Sequence, residues 1–142
     1  CDTLQKLSRH PNIQAIKACG GAAHKTQSLI ADGQLQVLAG EDTQIFSTAA
    51  LGGAGAISAR AHVHQDRVAR MLQLLQAGQL QAARQLWMPL LPLIEGLFAE
   101  PNPALIKAVL AHQGLMSGEV RAPMMAATPQ GAANILKLLE KT

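Results

Sequence analysis

The sequence predicts an α/β fold in which a short parallel sheet is followed by a region of helices alone. Between residues 12 and 59, apolar strand-like runs alternate with helical runs, which is typical of βαβ units. After Val63 the strand-like runs stop, and apolar residues recur only at the three-and-four spacing of helices. The 142 residues suit a single domain with a sizeable core.

The alternating part begins with the end of a helix, which is indicated by Leu4 and Leu7 at helical spacing. Three strands follow, each leading into a helix, and they are predicted over residues 12–18, 35–39 and 55–59. The first of the intervening helices ends at Gly33, because glycine accepts the left-handed conformation that closes a helix. The second begins at Glu41 and Asp42, since acidic residues stabilise a helix start. This order predicts parallel pairing.

Four amphipathic helical runs make up the remainder, and they are VHQDRVARMLQLLQAG, QLQAARQLWMPLLPLIEGLFAE, NPALIKAVLAHQGL and TPQGAANILKLLEK. Gly78 separates the first two runs, and Pro89 and Pro92 are expected to bend or interrupt the second. The predicted domain boundary therefore places residues 1–77 with the sheet and residues 78–142 in a helical domain.

The composition excludes several classes of protein. Hydrophobic residues make up 49% of the chain and aromatic residues only 2%, which indicates an ordered protein with an aliphatic core. The net charge of +3 is carried by scattered Lys and Arg, a pattern that argues against nucleic-acid binding. No apolar run is long enough to span a membrane, so the cytoplasm is the expected location. Cys1 and Cys19 form no paired motif and are expected to be free thiols.

Lys17 is the most informative single residue, because it interrupts the apolar run NIQAIKACGG. On a strand it shares one face with Ile13 and Ala15. The pattern leaves two interpretations open. Lys17 is either a strand-end lysine whose ammonium reaches water, or a partly desolvated amine whose neutral form attacks a carbonyl. Its place near the carboxyl end of a parallel strand favours the second interpretation, since reacting groups collect there.

Three other motifs are better explained by a role in folding than by a role in catalysis or ligand binding. The glycines of LGGAGAIS close a helix and precede a strand, the reverse of a phosphate-binding loop, and so predict a tight turn. His62 and His64 lack an evident third metal ligand and lie at a helix start. Cys19 shares strand parity with Lys17, but a small packed thiol is the favoured interpretation.

Five segments, in this order and at these intervals, resemble the carboxyl-terminal half of the dihydrodipicolinate synthase family, and they are NIQAIKACGG, LAGEDTQIF, ALGGAGAISA, LFAEPNPALIK and GEVRAPMMAAT. This family belongs with N-acetylneuraminate lyase to the class I pyruvate aldolases. The resemblance implies a (β/α)8 TIM barrel with a C-terminal helical domain. The chain is then expected to hold the last three barrel strands and that domain.

The resemblance also implies roles for three residues. Lys17 matches the lysine that forms a Schiff base with pyruvate, Gly40 matches a glycine near the bound pyruvate, and Ile57 matches a residue whose backbone lines the pocket. These three residues are expected to converge, with the Lys17 amine shielded from water. The family's chemistry implies no metal or organic cofactor.

The implied reaction condenses pyruvate with L-aspartate semialdehyde, a step of lysine and diaminopimelate biosynthesis. The implied assembly is a homo-oligomer, a dimer or tetramer, and the N-terminal half of the barrel is needed for a complete site. Two differences from the family lie near the expected mouth of the site, at Ala18-Cys19 and at Arg60-Ala61-His62. They leave open a related pyruvate aldolase with another aldehyde acceptor. A non-catalytic half-barrel is the further alternative.

Overall fold

The computed structural model describes residues 2–20 and 22–142, and it contains one three-stranded sheet. The strands are β1 (Ala15–Ala18), β2 (Gln36–Ala39) and β3 (Gly55–Ala56), and they lie side by side in chain order. Both pairings are parallel, so the predicted α/β class and strand direction are confirmed. The first strand is shorter than predicted, because the Ile13 N–H donates to the His10 carbonyl in a turn, 3.0 Å away.

Eight α-helices accompany these strands within the described residues, and they are α1 (Asp2–Leu7), α2 (Ala23–Asp32), α3 (Ile45–Ala50), α4 (Gln65–Gln76), α5 (Leu80–Trp87), α6 (Leu91–Leu97), α7 (Ala104–His112) and α8 (Pro129–Leu139). Gly33 ends α2 in the left-handed conformation, at a φ of 67°, as predicted. The predicted interruption near Pro89 is a 3₁₀ turn, Met88–Leu90, between α5 and α6. None of the helices described in residues 2–20 and 22–142 has the length and apolar character needed to cross a membrane.

The first compact unit comprises Cys1–Ser58 with Leu72–Leu80, and it is called the sheet unit below. Its buried side chains lie on one face of β2, where Val37 and Ala39 are each 2% exposed. Helices α2 and α3 both pack against β2 and contribute buried Leu29 and Ile45. This face supplies the apolar burial that stabilises the sheet.

The second compact unit, called the helical unit below, comprises Ala59–Met71 with Gln81–Thr142. Its core is a cluster of aliphatic side chains, namely Val63, Leu93, Leu97, Leu105, Ile106, Val109, Leu110 and Ile135. Helix α8 packs against both α6 and α7, and Gly96 on α6 allows this approach. A Cβ at Gly96 would lie 2.7 Å from a Leu138 methyl carbon. The boundary predicted between residues 77 and 78 stays a prediction, and Cys1 lies outside the described residues.

The start of α8 is held by Thr128 and Glu100. The Thr128 hydroxyl accepts a hydrogen bond from the Gly131 N–H at 3.0 Å, which is an N-cap. The Glu100 carboxylate accepts from the Thr128 hydroxyl and, at 3.0 Å, from the Thr128 N–H. These hydrogen bonds to the charged form lower the pKa of Glu100.

His64 precedes α4 in the left-handed conformation, with a φ of 55°, and its Nε2 lies 3.4 Å from the Thr142 hydroxyl. Burial lowers the pKa of His64 below its ordinary 6.5, and the charges of Arg67 and Arg60 lower it further. The unfolded chain therefore binds this proton more readily than the folded chain does.

We expect the stability of the chain to fall as pH decreases from 7 toward 5, because the unfolded chain takes up a proton at His64 more readily than the folded chain does. Its stabilising contribution is complete above pH 6.5 and is lost as pH falls through the lower folded pKa. His64→Asn tolerates a positive φ and carries no proton, so the free energy of unfolding in urea is expected to vary less over this range. The control is His112→Asn on exposed His112. Equal pH dependence of both variants and the parent would contradict this assignment.

Candidate active site

The three residues predicted for the site all lie at the carboxyl end of the sheet. Lys17 is the third of four residues in β1, Gly40 directly follows β2, and Ile57 directly follows β3. Backbone hydrogen bonds hold these ends in register. The Gly40 N–H donates to the Ala18 carbonyl at 2.8 Å, and the Ile57 N–H donates to the Ala39 carbonyl at 2.9 Å. Parallel strands thus bring residues that are distant in sequence to one edge.

The side chain of Lys17 lies on the sheet face opposite to the buried one. Lys17 pairs with Leu38, and Leu38 pairs with Gly55, so these three residues share that face. Lys17 is exposed and Leu38 is half-buried. The predicted shielding of the Lys17 amine is not present in this chain and stays a prediction for the complete barrel. The physical reason is that the described residues bury the opposite face, which carries Val37 and Ala39.

Gly40 leaves a space that the Cys19 side chain occupies and that the Lys17 stem borders. A Cβ at position 40 would lie 3.0 Å from Lys17 Cε and 2.8 Å from the Ala18 carbonyl oxygen, and it would overlap the Cys19 Sγ. Lys17, Cys19 and the gap at Gly40 are therefore immediate neighbours. Any side chain at this position would displace the Cys19 thiol and the Ala18 carbonyl and would press on the lysine stem.

Cys19 is a free and exposed thiol, so its interpretation as a small packed side chain is wrong. It follows β1 by one residue, beyond the part of the strand that the sheet buries. Its Sγ borders the same gap as the Lys17 stem. The structure thus places a thiol beside the predicted imine-forming amine.

Two acidic residues connect the loops at this edge, and sequence analysis assigned them only to a helix start. The Glu41 carboxylate accepts a hydrogen bond from the Gly20 N–H at 2.9 Å, which ties the loop after β2 to the loop after β1. Buried Asp42 accepts from the Ser58 hydroxyl, which ties the same loop to the end of β3. The sequence signal was available, because polar residues directly after a parallel strand belong to the functional edge.

The segment after β3 differs from its prediction. Arg60 was expected near the open mouth, but it is 0% exposed and donates through Nη2 to the Val63 carbonyl at 2.9 Å. His62 is exposed at the end of the same 3₁₀ turn, Arg60–His62. Across the described residues, His, Cys, Asp and Glu side chains form no group of three that could hold a metal ion.

Comparison with known proteins agrees with this arrangement. The Dihydrodipicolinate synthetase family matches residues 1–142. The chain is 38% identical over 140 residues to 4-hydroxy-tetrahydrodipicolinate synthase of Enterococcus faecalis, which covers 98% of this chain and 48% of that protein. It is 39% identical over 140 residues to the synthase of Syntrophobacter fumaroxidans, which covers 96% of this chain and 47% of that protein. The chain thus spans about half the length of the curated relatives it matches.

Solved structures show the same likeness. The 4-hydroxy-tetrahydrodipicolinate synthase of Methylacidiphilum fumariolicum SolV superposes with a TM-score of 0.92 at 29% identity, over 99% of this chain and 48% of that one. The chloride-inhibited synthase of Acinetobacter baumannii, solved with pyruvate, gives 0.93 at 27% identity, over 99% and 49%. The predicted fold, a C-terminal part of a TIM barrel with a helical domain, is confirmed. The chain belongs to the dihydrodipicolinate synthetase family, of whose members it represents roughly the C-terminal half.

Proposed function

We propose that the whole protein is a class I pyruvate-dependent lyase that condenses pyruvate with L-aspartate semialdehyde through a Schiff base at Lys17. The observation that carries this proposal is the position of Lys17. Its primary amine stands at the carboxyl edge of a parallel sheet, and its stem borders a gap that only glycine leaves open. Membership of the family supports the same role.

The chemistry follows from the amine. Neutral Lys17 Nζ adds to the C2 carbonyl of pyruvate, and loss of one water gives an imine. The protonated imine withdraws electrons from C3, so a C3 proton is lost and an enamine forms. The enamine carbon then attacks the aldehyde carbon of the acceptor, and the electron pair of the C=O π bond moves to the aldehyde oxygen, which takes up a proton to become a hydroxyl group. Hydrolysis of the resulting imine returns the amine of Lys17 and releases the product.

The exposure of Lys17 in this chain fits a site that a second half completes. In the proposal, the N-terminal half of the barrel covers the sheet face that bears Lys17 and Leu38. Coverage would remove water from the amine and favour its neutral form, which is the nucleophile. The family resemblance also implies a tyrosine that relays protons. This sequence contains no tyrosine, so in the proposal the N-terminal half supplies it. Glu41 and Asp42 position the loops of this half.

A related pyruvate aldolase with another acceptor is the second candidate. It is favoured by the exposed thiol of Cys19, which borders the Lys17 stem and is one of the two differences from the family pattern near the mouth of the site. A thiol there changes the surface that the acceptor would meet, while imine formation at Lys17 is retained. Both candidates use pyruvate and an aldehyde as substrates, and both are proposed to be cytoplasmic homo-oligomers. Neither requires a cofactor.

The imine is tested by reduction with borohydride in the presence of pyruvate. We expect the full-length protein to gain the mass of one reduced pyruvate on the peptide that contains Lys17, because borohydride converts an imine into a stable amine. Lys25→Arg, which changes a lysine of α2 in the same unit, is the matched control and is expected to label fully.

Absence of label on Lys17 would overturn the catalytic proposal and favour a non-catalytic half-barrel. Label on Lys17 together with turnover of a different aldehyde would keep the imine and select the second candidate. A parallel reaction with the 142-residue chain measures how much the N-terminal half contributes to the reactivity of the amine.

A further inference from the structure

The helical unit contains a cavity of about 350 Å³, a volume within the range of small-molecule sites. Its apolar wall is formed by Ile106 and Leu110 of α7, which are 4% and 9% exposed, and by Met116. Met116 is 44% exposed and therefore forms part of the open side. An apolar group bound here would be removed from water on the α7 side.

The polar groups of this cavity are His62, Asn102 and Lys107. Lys107 lies on the first turns of α7 and is half-buried, so part of its stem packs against protein. None of the described residues that line the cavity is acidic. A bound anion would thus meet an ammonium group without a competing carboxylate on the cavity wall.

The cavity also opens at the start of α7. Pro103 lines it and is the N-cap residue of that helix, which has nine residues. The amino end of a helix carries partial positive charge, so the backbone favours a negatively charged ligand, as Lys107 does.

We propose that this cavity binds a small aliphatic carboxylate that lacks an ammonium group. The carboxylate pairs with the Lys107 ammonium and accepts a hydrogen bond from the Asn102 amide, while the aliphatic part lies on Ile106, Leu110 and Met116. An amino acid is disfavoured because its ammonium group would find no acidic partner on the wall. Inorganic phosphate is disfavoured because a wall that is largely apolar cannot replace its hydration.

The probe is 4-methylpentanoate, titrated into the full-length protein with ¹³C-labelled methionine methyl groups. We expect a saturable shift of the Met116 methyl resonance, since this side chain lines the cavity. Lys107→Met keeps the length of the stem and removes the charge, and it is expected to weaken binding about tenfold or more. The matched control is Lys137→Met, on exposed Lys137 of α8.

A second variant guards against a folding defect in Lys107→Met. Asn102 is exposed, and Asn102→Asp is nearly isosteric, so the helical unit is expected to stay folded while binding weakens about tenfold by charge repulsion. The buried methyl group of Met71 reports that the fold is retained. Unchanged affinity in both variants would overturn the proposal. Equal binding of 4-methylpentylamine or of inorganic phosphate would also overturn it.

Discussion

Replacement of Lys17 by Arg in the full-length protein is expected to abolish the consumption of pyruvate. A guanidinium group keeps its proton in proteins, so it cannot add to a carbonyl. Loss of the nucleophile removes a covalent step, and such losses commonly lower kcat by about three orders of magnitude or more. The measurement is steady-state consumption of pyruvate with aspartate semialdehyde as acceptor.

The same substitution is expected to leave folding largely intact, because Arg retains the charge of Lys17 and a long aliphatic stem. Circular dichroism and urea unfolding of the parent and the variant test this expectation. A variant that folds normally and consumes pyruvate at the parent rate would exclude the imine mechanism. Lys25→Arg is again the matched control and is expected to keep full activity.

Gly40→Ala is expected to slow formation of the pyruvate imine about tenfold to a hundredfold. The added methyl group would overlap the Cys19 Sγ, and it would lie 2.8 Å from the Ala18 carbonyl oxygen and 3.0 Å from Lys17 Cε. The thiol and the end of β1 must therefore shift, and the lysine stem is pressed from the same side. A displacement of the nucleophile by about 1 Å is enough for such a loss. Overpacking at this position is also expected to lower the free energy of unfolding by about 1–3 kcal/mol.

The control for this variant is Gly118→Ala. A Cβ at Gly118 would make an ordinary contact, 3.5 Å from the Ala111 Cβ, and would not press on backbone. Borohydride trapping is measured as a rate in both variants, with urea unfolding alongside. Parent-like trapping in Gly40→Ala would contradict the role of Gly40 as the gap that admits the lysine.

The fold was largely predictable because each element depends on local pattern. The apolar run around Ile16 predicted the presence of a strand, and the helical run before Gly33 predicted both a helix and its end, because glycine accepts the left-handed conformation. Strand length was less predictable. The turn between His10 and Ile13 forms a backbone hydrogen bond that shortens β1, and this bond cannot be predicted from the side-chain pattern.

The candidate site was predictable where it follows from topology. Lys17, Gly40 and Ile57 lie at one edge because all parallel strands end there, and this required only the order of elements. Exposure was not predictable in the same way. Burial of Lys17 depends on what covers the second face of the sheet, whereas the burial of Arg60 depends on packing in the helical unit. Neither property is encoded in spacing along a strand.

The order of the strands has a consequence for the assembly of the sheet. Because spatial order equals chain order, Lys17 pairs with Leu38, and Leu38 pairs with Gly55. Each pairing closes a loop of only about twenty residues, and the entropy lost on closure rises slowly with loop length. Within this three-stranded sheet, neither pairing requires a segment that is distant in sequence. We therefore expect the sheet to assemble by successive additions of a helix and a strand, in the direction in which a ribosome delivers the chain.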